Sequence, residues 1–405
     1  MSVPSHLRAF LFDPTKASGS TLIENVFSSW NNGDAITVIP STYPQSLIDA
    51  SIIRCDPSDV HDLASGEIHR RELAIVETPD LAAVVLTSGT TADPKPVELS
   101  FASMKASADA LYEMCDLSSD DVWLCCLPPY YIAGLAIFAR CFSTDSTLVF
   151  HEHFDVTRVE DSLKNESITA ISLVSSQLHK LLDAKIDLSG LKTVLVGGSA
   201  VRSELIDTCS QQGIAIHQTY GMTETWGGIC HDGILFDNTQ ARISDDIIEL
   251  SSTSLMSGYR HDYPATLARI TPDGWFRTFD RGKIQDGRLH VLGRNDDVIN
   301  SGGIKVDPLS LEAKLHDLYP EHAFIVCATP HKNLGSCVTL CFHGSTSDLP
   351  ELEDIRKRLI EYVPSTHLPL RLATIDQLPF SETGKVKRSA TAQLCTVVDE
   401  HELKG

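Results

Sequence analysis

The stretch Leu81–Ser100 reads LAAVVLTSGTTADPKPVELS. Its opening LAAVVL is an unbroken apolar run, the pattern of a strand buried on both faces. The run ends in Thr87, Ser88, Gly89, Thr90 and Thr91, and Lys95 follows. Hydroxyl and backbone N–H groups in such a loop donate to phosphate oxygens, Gly89 permits close backbone approach, and Lys95 adds a mobile positive charge. The spacing is not the G-x-x-x-x-G-K-[ST] of the common P-loop. Read alone, the stretch also fits an ordinary Ser/Thr-rich turn.

Downstream, short apolar runs alternate with amphipathic ones. SMKASADALYEMCDL reads as a helix, DVWLCCLPPYY as a strand stopped by two prolines, GLAIFARCF as a helix and STLVFHEHF as a strand. The alternation continues through helix RVEDSLKNE, strand ITAISLVSS, helix QLHKLLDAK, strand LKTVLVGGSA, helix VRSELIDTCSQQG and the strand and loop IAIHQTYGMTET. This predicts an α/β fold, a large N-terminal domain with mostly parallel sheets and covering helices. Ligands in such folds sit at the carboxyl ends of strands. That puts the loops Thr87–Lys95, Gly197–Ala200 and Tyr220–Thr225 at candidate positions. From about Arg242 the pattern changes to short strands separated by Asp-Gly turns. The Gly, Asn and Asp cluster in GRNDDVINSGGIKVDP reads as a hinge, and the helix and strand patterns beyond it as a small mobile α+β domain. The expected domains are 1–295 and 296–405.

The chain has 405 residues, 42% hydrophobic and 21% charged, which is more than one ordinary core and the composition of a globular protein. Its net charge of −21 argues against nucleic acid as a partner, because a phosphate backbone demands a basic footprint. No apolar run approaches the roughly 20 residues that span a bilayer. The start lacks the charged-then-apolar design of a signal peptide, so a cytoplasmic location is expected. The eleven cysteines contain no C-x-x-C pair, so neither a zinc site nor a disulfide framework is expected.

Further motifs follow the opening loop in order. In TYGMTET (Thr219–Thr225), an aromatic flanked by Gly can stack on a base, a threonine can bond a phosphate oxygen and a carboxylate can hold Mg²⁺. FRTFDRG (Phe276–Gly282) supplies Asp280, suited to two ribose hydroxyls. LGRNDDVINSGGIKVDP and LPFSETGKVKR complete the series. Each has a plainer reading: Tyr220 as a core aromatic, Glu224 as a helix-start acid, Asp280 and Arg294 as a surface ion pair, Asp296 and Asp297 as turn residues, Lys385 as one solvated lysine.

The set, over roughly residues 80–390, resembles the adenylate-forming superfamily: acyl- and aryl-CoA synthetases, luciferases and the adenylation domains of peptide synthetases. The resemblance implies ATP, Mg²⁺ and coenzyme A. It implies a mobile phosphate loop over Thr87–Lys95, with Tyr220 and Gly221 at the adenine beside Gly198, Ser199 and Ala200. It further implies Thr223 at the α-phosphate, Glu224 at the magnesium, Asp280 and Arg294 at the ribose, and Asp296 as the pivot of the small domain. Lys385 matches the catalytic lysine. Gly302 and Gly303 match the loop that enters the site for the second half-reaction.

Several positions depart from the family. Ala92 and Pro96 stand where the phosphate loop usually has Gly, which restricts the backbone and removes a donor. Tyr130 and Tyr131 stand where relatives often have histidines that line the acyl pocket. The part ahead of the phosphate loop is shorter than in relatives.

LPPYYIAGLAIFAR, SLVSSQLHKLL and TYGMTETWGGICHDG resemble the compact o-succinylbenzoate–CoA ligases of menaquinone biosynthesis. Gly227 and Gly228 at a pocket floor leave room for a flat ring, with His231, Asp232 and Gly233 following; a plain loop is the other reading. The implied partners are a small-molecule carboxylic acid, ATP and CoA, and a homodimer is the assembly expected. Other aryl- or acyl-CoA ligases, a ligase passing the acyl group to a carrier protein, and a non-catalytic nucleotide-binding relative stay open.

Overall fold

The computed structural model describes residues 6–71, 78–87, 94–198, 203–343, 349–380 and 386–401. The chain divides into two compact units. One comprises Met1–Arg242, Glu249–Arg277 and Ile284–Leu289; the other comprises Ile243–Ile248, Thr278–Lys283 and His290–Gly405.

The first unit carries two seven-stranded sheets. The first sheet is built from β1 (Leu7–Phe12), β2 (Ala35–Pro40), β3 (Asp59–Asp62), β4 (Ile68–Arg70), β5 (Leu81–Leu86) and β6 (Pro96–Ser100). With the short strand Gly258–Tyr259 at its edge, the order is Gly258–Tyr259, β6, β5, β2, β1, β3, β4. Its centre is parallel, and β6, β4 and the edge pair are antiparallel. The second sheet uses β7 (Val122–Cys125), β8 (Thr147–Phe150), β9 (Ala170–Val174), β10 (Thr193–Gly197), β11 (Ile216–Met222) and β12 (Gly227–His231), in the order Ile234–Leu235, β12, β11, β10, β9, β7, β8. The pairs from β8 through β11 are parallel. The expected alternation is therefore present, shared between two sheets. The βα units that supply the first sheet's parallel core, β1 to β3, lie in a part of the chain to which the sequence reading assigned no elements. Their strands, LRAFLF and AITVIP, are almost wholly buried.

Helices Phe101–Met114 and Ile132–Thr144 pack on the sheets of this unit. Ser100 caps the first through a reciprocal bond with Ser103, which satisfies donors that a helix start leaves open. The main core runs from Phe10 and Trp30 through Trp123, Phe138 and Trp226 to Phe236.

In the second unit, strands Ile299–Ser301, Ile304–Val306, Phe324–His331, Gly335–His343, Arg371–Ile375 and Thr396–Glu400 form a mixed sheet. Helices Pro308–Leu318 and Leu352–Leu359 bury Leu311, Leu315, Ile355 and Leu359 in its core. The helical pattern ELEDIRKRLIEYV suggests a helix through Val363, but the helix stops at Leu359. Pro364 disfavours helical backbone just before it, and Ile360 and Tyr362 stay exposed.

The sequence puts Tyr220 in a loop at a strand end, whereas β11 continues through Tyr220 and Gly221 to Met222. The reason is β12, which turns back antiparallel and pairs Tyr220 with Cys230, Gly221 with Gly228 and Met222 with Gly227 across a bulge. A Cβ on Gly221 would lie 1.8 Å from the Gly227 carbonyl oxygen and 2.7 Å from the Gly228 Cα. These contacts are backbone atoms that cannot swing aside. Gly221→Ala is expected to lower unfolding free energy by about 3 kcal/mol or to prevent folding, as overpacking against a rigid neighbour does. Urea denaturation followed by circular dichroism measures it, and an unchanged midpoint contradicts this packing.

Candidate active site

The opening loop leaves the sheet between β5 and β6. Leu86 pairs with Pro96, the Thr87 N–H donates to the Lys95 carbonyl at 3.0 Å, and the Lys95 N–H donates to Thr87 Oγ1 at 3.0 Å. The neck of the loop is thereby pinned at both ends. Ser88, Gly89, Thr90, Thr91 and Ala92 lie outside the described residues, as do Ser199, Ala200 and Lys385. Pro96 stands in β6 and pairs through its carbonyl, which accepts from the Arg260 N–H at 2.8 Å. Pro96 is the first residue of β6, a position at which strands tolerate proline.

Thr223, Glu224 and Thr225 form one 3₁₀ turn between β11 and β12. The Thr225 hydroxyl donates to the Gly227 carbonyl at 2.7 Å and accepts from the Met222 N–H at 3.1 Å, and Trp226 anchors the turn by donating from its indole to Ser103 Oγ at 3.0 Å. The Glu224 carboxylate accepts a hydrogen bond from Tyr259 at 2.8 Å, and Lys95 Nζ lies 4.9 Å from the centre of the Tyr259 ring. Tyr259 thus joins the predicted magnesium ligand to the predicted phosphate-loop lysine. Burial first, and then the Glu224 charge, push the Tyr259 phenol up, so it keeps its proton and remains a donor. The sequence reading missed Tyr259, since a tyrosine in MSGYR carries no signal of its own. Gly198 has a φ of +87° at the end of β10, a conformation that suits glycine. Tyr220 stands in the same sheet on β11.

Beside this turn lies a second cluster. Gly227 has a φ of +93°, and a Cβ there would lie 3.8 Å from an Arg140 Nη atom and 3.4 Å from the Ala136 Cβ. A Cβ on Gly228 would lie 3.8 Å from His231 Nε2. Gly227 is therefore bordered by Ala136 and Arg140, and Gly228 by Thr219 and His231. Arg140 is only 6% exposed, and its charge lies 5.5 Å from the Trp123 ring centre. Its Nε has no hydrogen-bond partner, and no carboxylate pairs with it among the described residues. Arg260, equally buried, is by contrast bonded to Glu98 at 2.8 Å. Burial alone holds the Arg140 guanidinium below its ordinary range. An unpaired buried charge costs several kcal/mol, a cost that an anion beside it would offset. The sequence did carry a signal, one charged residue inside the apolar helix GLAIFARCF. His231 Nε2 is likewise buried without a partner, while Nδ1 lies 3.6 Å from Cys115 Sγ. The Tyr131 hydroxyl bonds to that of Tyr43 at 2.8 Å, and the Tyr130 ring meets both rings edge-on.

The second unit holds Asp280, Arg294, Asp296, Gly302 and Gly303. Arg294 donates to Asp296 at 2.8 Å and its guanidinium lies 5.5 Å from the Phe279 ring centre. Burial works against the Arg294 charge; the Asp296 hydrogen bond and the Asp280 charge outweigh it. Gly302 and Gly303, with φ of +59° and +88°, make the two-residue turn of a hairpin in which Ser301 pairs with Ile304. A cavity of about 230 Å³ is lined by Arg281, Lys305 and His367 together with Asp245, Asp246 and Asp307, and Arg281 and Asp307 are paired at 3.5 Å.

A family model described as AMP-binding enzyme matches residues 12–247. A probable 2-succinylbenzoate–CoA ligase of Mycobacterium tuberculosis is 34% identical over 77% of this chain and 84% of its own length. A 2-succinylbenzoate–CoA ligase of Listeria monocytogenes is 32% identical over 78% of this chain and 71% of its own. Among solved structures, the o-succinylbenzoate CoA synthetase of Bacillus subtilis in complex with its acyl-adenylate intermediate matches with a TM-score of 0.82 at 22% identity, over 99% of this chain and 90% of that one. ATP-bound MatB from Rhodopseudomonas palustris matches with a TM-score of 0.82 at 20% identity, over 97% and 89%. At those identities the structural likeness speaks for the fold, that of a large N-terminal and a smaller C-terminal domain. No described helix is long and apolar enough to cross a membrane.

Burial, with His217 and Arg140 nearby, pushes the His231 imidazole down to about 3. The unfolded chain binds this proton near pH 6.5 and the native state does not. Native stability is therefore unpenalised above about pH 6.5 and falls by about 1.4 kcal/mol per pH unit below it, down to about pH 3. His231→Gln removes that slope. Between about pH 7.5 and about pH 5 the variant is expected to gain about 2 kcal/mol relative to the parent in urea unfolding, and parallel pH profiles contradict the assignment.

Proposed function

We infer that this chain, which belongs to the AMP-binding enzyme family, is an ATP-dependent acid–CoA ligase and that its acid is 2-succinylbenzoate, in menaquinone biosynthesis. The observation that carries the substrate is Arg140. A buried guanidinium with no carboxylate partner, beside a side-chain-free Gly227–Gly228 floor, suits a flat aryl acid with a second carboxylate. One carboxylate pairs with Arg140 and the other is left to react.

In the first half-reaction that carboxylate attacks the α-phosphorus of ATP and pyrophosphate leaves. The thiol of CoA then attacks the acyl carbon of the adenylate and AMP leaves. No protein nucleophile is required, so the residues act by positioning and by charge. We assign the phosphates of ATP to the loop of Thr87, Ser88, Gly89, Thr90, Thr91 and Lys95. Adenine goes to Tyr220 and Gly221 with Gly198, Ser199 and Ala200, the α-phosphate to Thr223 and the ribose to Asp280 and Arg294. Glu224 fits Mg²⁺, because the ion takes one or two carboxylates together with phosphates and water. When bound, Mg²⁺ offsets charge on the phosphate oxygens. Tyr131 belongs to the acid pocket. The domain of residues 296–405 turns about Asp296 between the half-reactions, exchanging Lys385 for the Gly302–Gly303 hairpin. A cytoplasmic location and a homodimer belong to the same reading.

Mass spectrometry of the products formed with ATP, Mg²⁺, CoA and a panel of acids tests the reading. A dominant 2-succinylbenzoyl-CoA product is expected. A thioester with another acid overturns the substrate, and no AMP with any acid overturns the activity. Arg140→Met is expected to lower kcat/KM for 2-succinylbenzoate by about 100-fold or more, the effect of deleting one partner of a buried charge pair. It leaves turnover of benzoylpropionate, which lacks the ring carboxylate, unchanged. The same substitution raises the unfolding midpoint of the ligand-free protein, because it removes an uncompensated charge. Lys385→Ala is expected to slow adenylation by about 100-fold or more while sparing thioester formation from supplied acyl-adenylate. Equal loss in both steps rejects the assignment of Lys385.

A further inference from the structure

The second unit contains a cluster that the ligase reaction does not use. Cys327 and Cys341 stand on the hairpin Phe324–His331 and Gly335–His343, and Cys395 follows the helix Arg388–Leu394. In the hairpin register Cys327 faces Thr339 and Cys341 faces Ile325, so the two cysteines are diagonal neighbours. Their sulfurs lie 3.8 Å apart, and all three Sγ atoms lie within 4.8 Å of one another. Cys327 and Cys341 are buried and Cys395 is half-buried. The packing around them is apolar, from Ala373, Ile325 and Ala392.

We propose that Cys327, Cys341 and Cys395 form a three-thiolate site for a soft monovalent cation, Cu(I). A metal–sulfur bond of about 2.3 Å in a planar trigonal arrangement sets sulfurs about 4.0 Å apart, close to the spacing present before any adjustment. A disulfide requires about 2.05 Å between sulfurs and a specific dihedral, so the 3.8 Å pair must move to make one, whereas a metal fits between. Zinc calls for a fourth ligand. Among the described residues no further His, Asp, Glu or Cys joins the cluster, and Glu312, whose charge reaches Cys327, is taken up by its ion pair with Arg388. Soft thiolates with three-fold coordination suit Cu(I). On binding, each thiol loses its proton to solvent and forms a metal–sulfur bond, and no electron is transferred.

The test uses the full-length chain, reduced and handled without oxygen, titrated with Cu(I) against bicinchoninate. One equivalent is expected to be withdrawn from the chelator, with X-ray absorption showing three sulfur neighbours and no nitrogen or oxygen. Cys341→Ala and Cys395→Ala, each checked for folding by circular dichroism, are expected to lose that equivalent. Cys395 is half-buried at a helix end, so its alanine variant keeps the test sound if Cys341→Ala does not fold. Retention of the equivalent in a folded variant overturns the proposal. So does failure to compete with the chelator, uptake of Zn(II) in place of Cu(I), or a Cys327–Cys341 disulfide in the peptide masses of the protein as isolated.

Discussion

Gly221 and Gly227 meet backbone to backbone, and the first unit's site hangs on that contact. Because no side chain intervenes, β12 can fold back on β11 within one 3₁₀ turn. The turn places Thr223 and Glu224 on one side and Gly227 and Gly228 on the other. On the proposed reading, the pair assigned to the nucleotide and the glycines assigned to the acid thus share one hairpin, a few residues apart. A reaction between a carboxylate and a phosphate needs that proximity held before substrates arrive, since positioning is most of what a site without a nucleophile can supply. Buried Trp226 holds the turn from beneath by its bond to Ser103, so the helix Phe101–Met114 and the hairpin set each other's place.

Charge imposes the second constraint. The chain carries −21 overall, yet the ligands proposed for it, a nucleotide, CoA and a diacid, are all anions. Attraction has to come from local donors against the field of the whole molecule. Lys95 sits near Tyr259, which itself donates to Glu224, so cation, phenol and carboxylate form a short chain with balanced charge. A magnesium ion at Glu224 would add positive charge without stranding the lysine. The buried Arg140 is the opposite case, a charge left unbalanced until a ligand arrives.

Much of this was legible in the chain, and the reasons are local. Parallel strands buried on both faces write continuous apolar runs, which is why β5, β9 and β10 read plainly. Glycine and proline punctuate the rest; Gly302 and Gly303 read as part of a hinge cluster, and in the structure they make the tight turn of a hairpin. The extension of β11 through Tyr220 was hidden because glycine normally marks a strand's end, and here it marks a close approach to another backbone. Tyr259 and Tyr43 were hidden for a different reason. Each gains meaning only from a partner far away in sequence: Glu224 for one, Tyr131 for the other. The three sulfurs of the second unit belong to the same class, since residues 327, 341 and 395 have no ligand-like spacing. Pattern reading finds what a segment does to itself, and misses what two distant segments do to each other.

Arg140 shows where those two kinds of information meet. A lone cation in an apolar helix is visible in the sequence, but its lack of a partner is visible only in three dimensions. Elsewhere in the same unit a buried arginine has its carboxylate, as Arg260 has Glu98. A fold that can pair one buried guanidinium can pair another, and on the proposed reading the unpaired one serves function rather than folding. The free energy withheld from the ligand-free state becomes available when an anion enters. If the acid is the diacid proposed, its second carboxylate sets specificity in this way: an acid without it leaves the buried charge as costly as before, and gains less from the pocket than one that neutralises it.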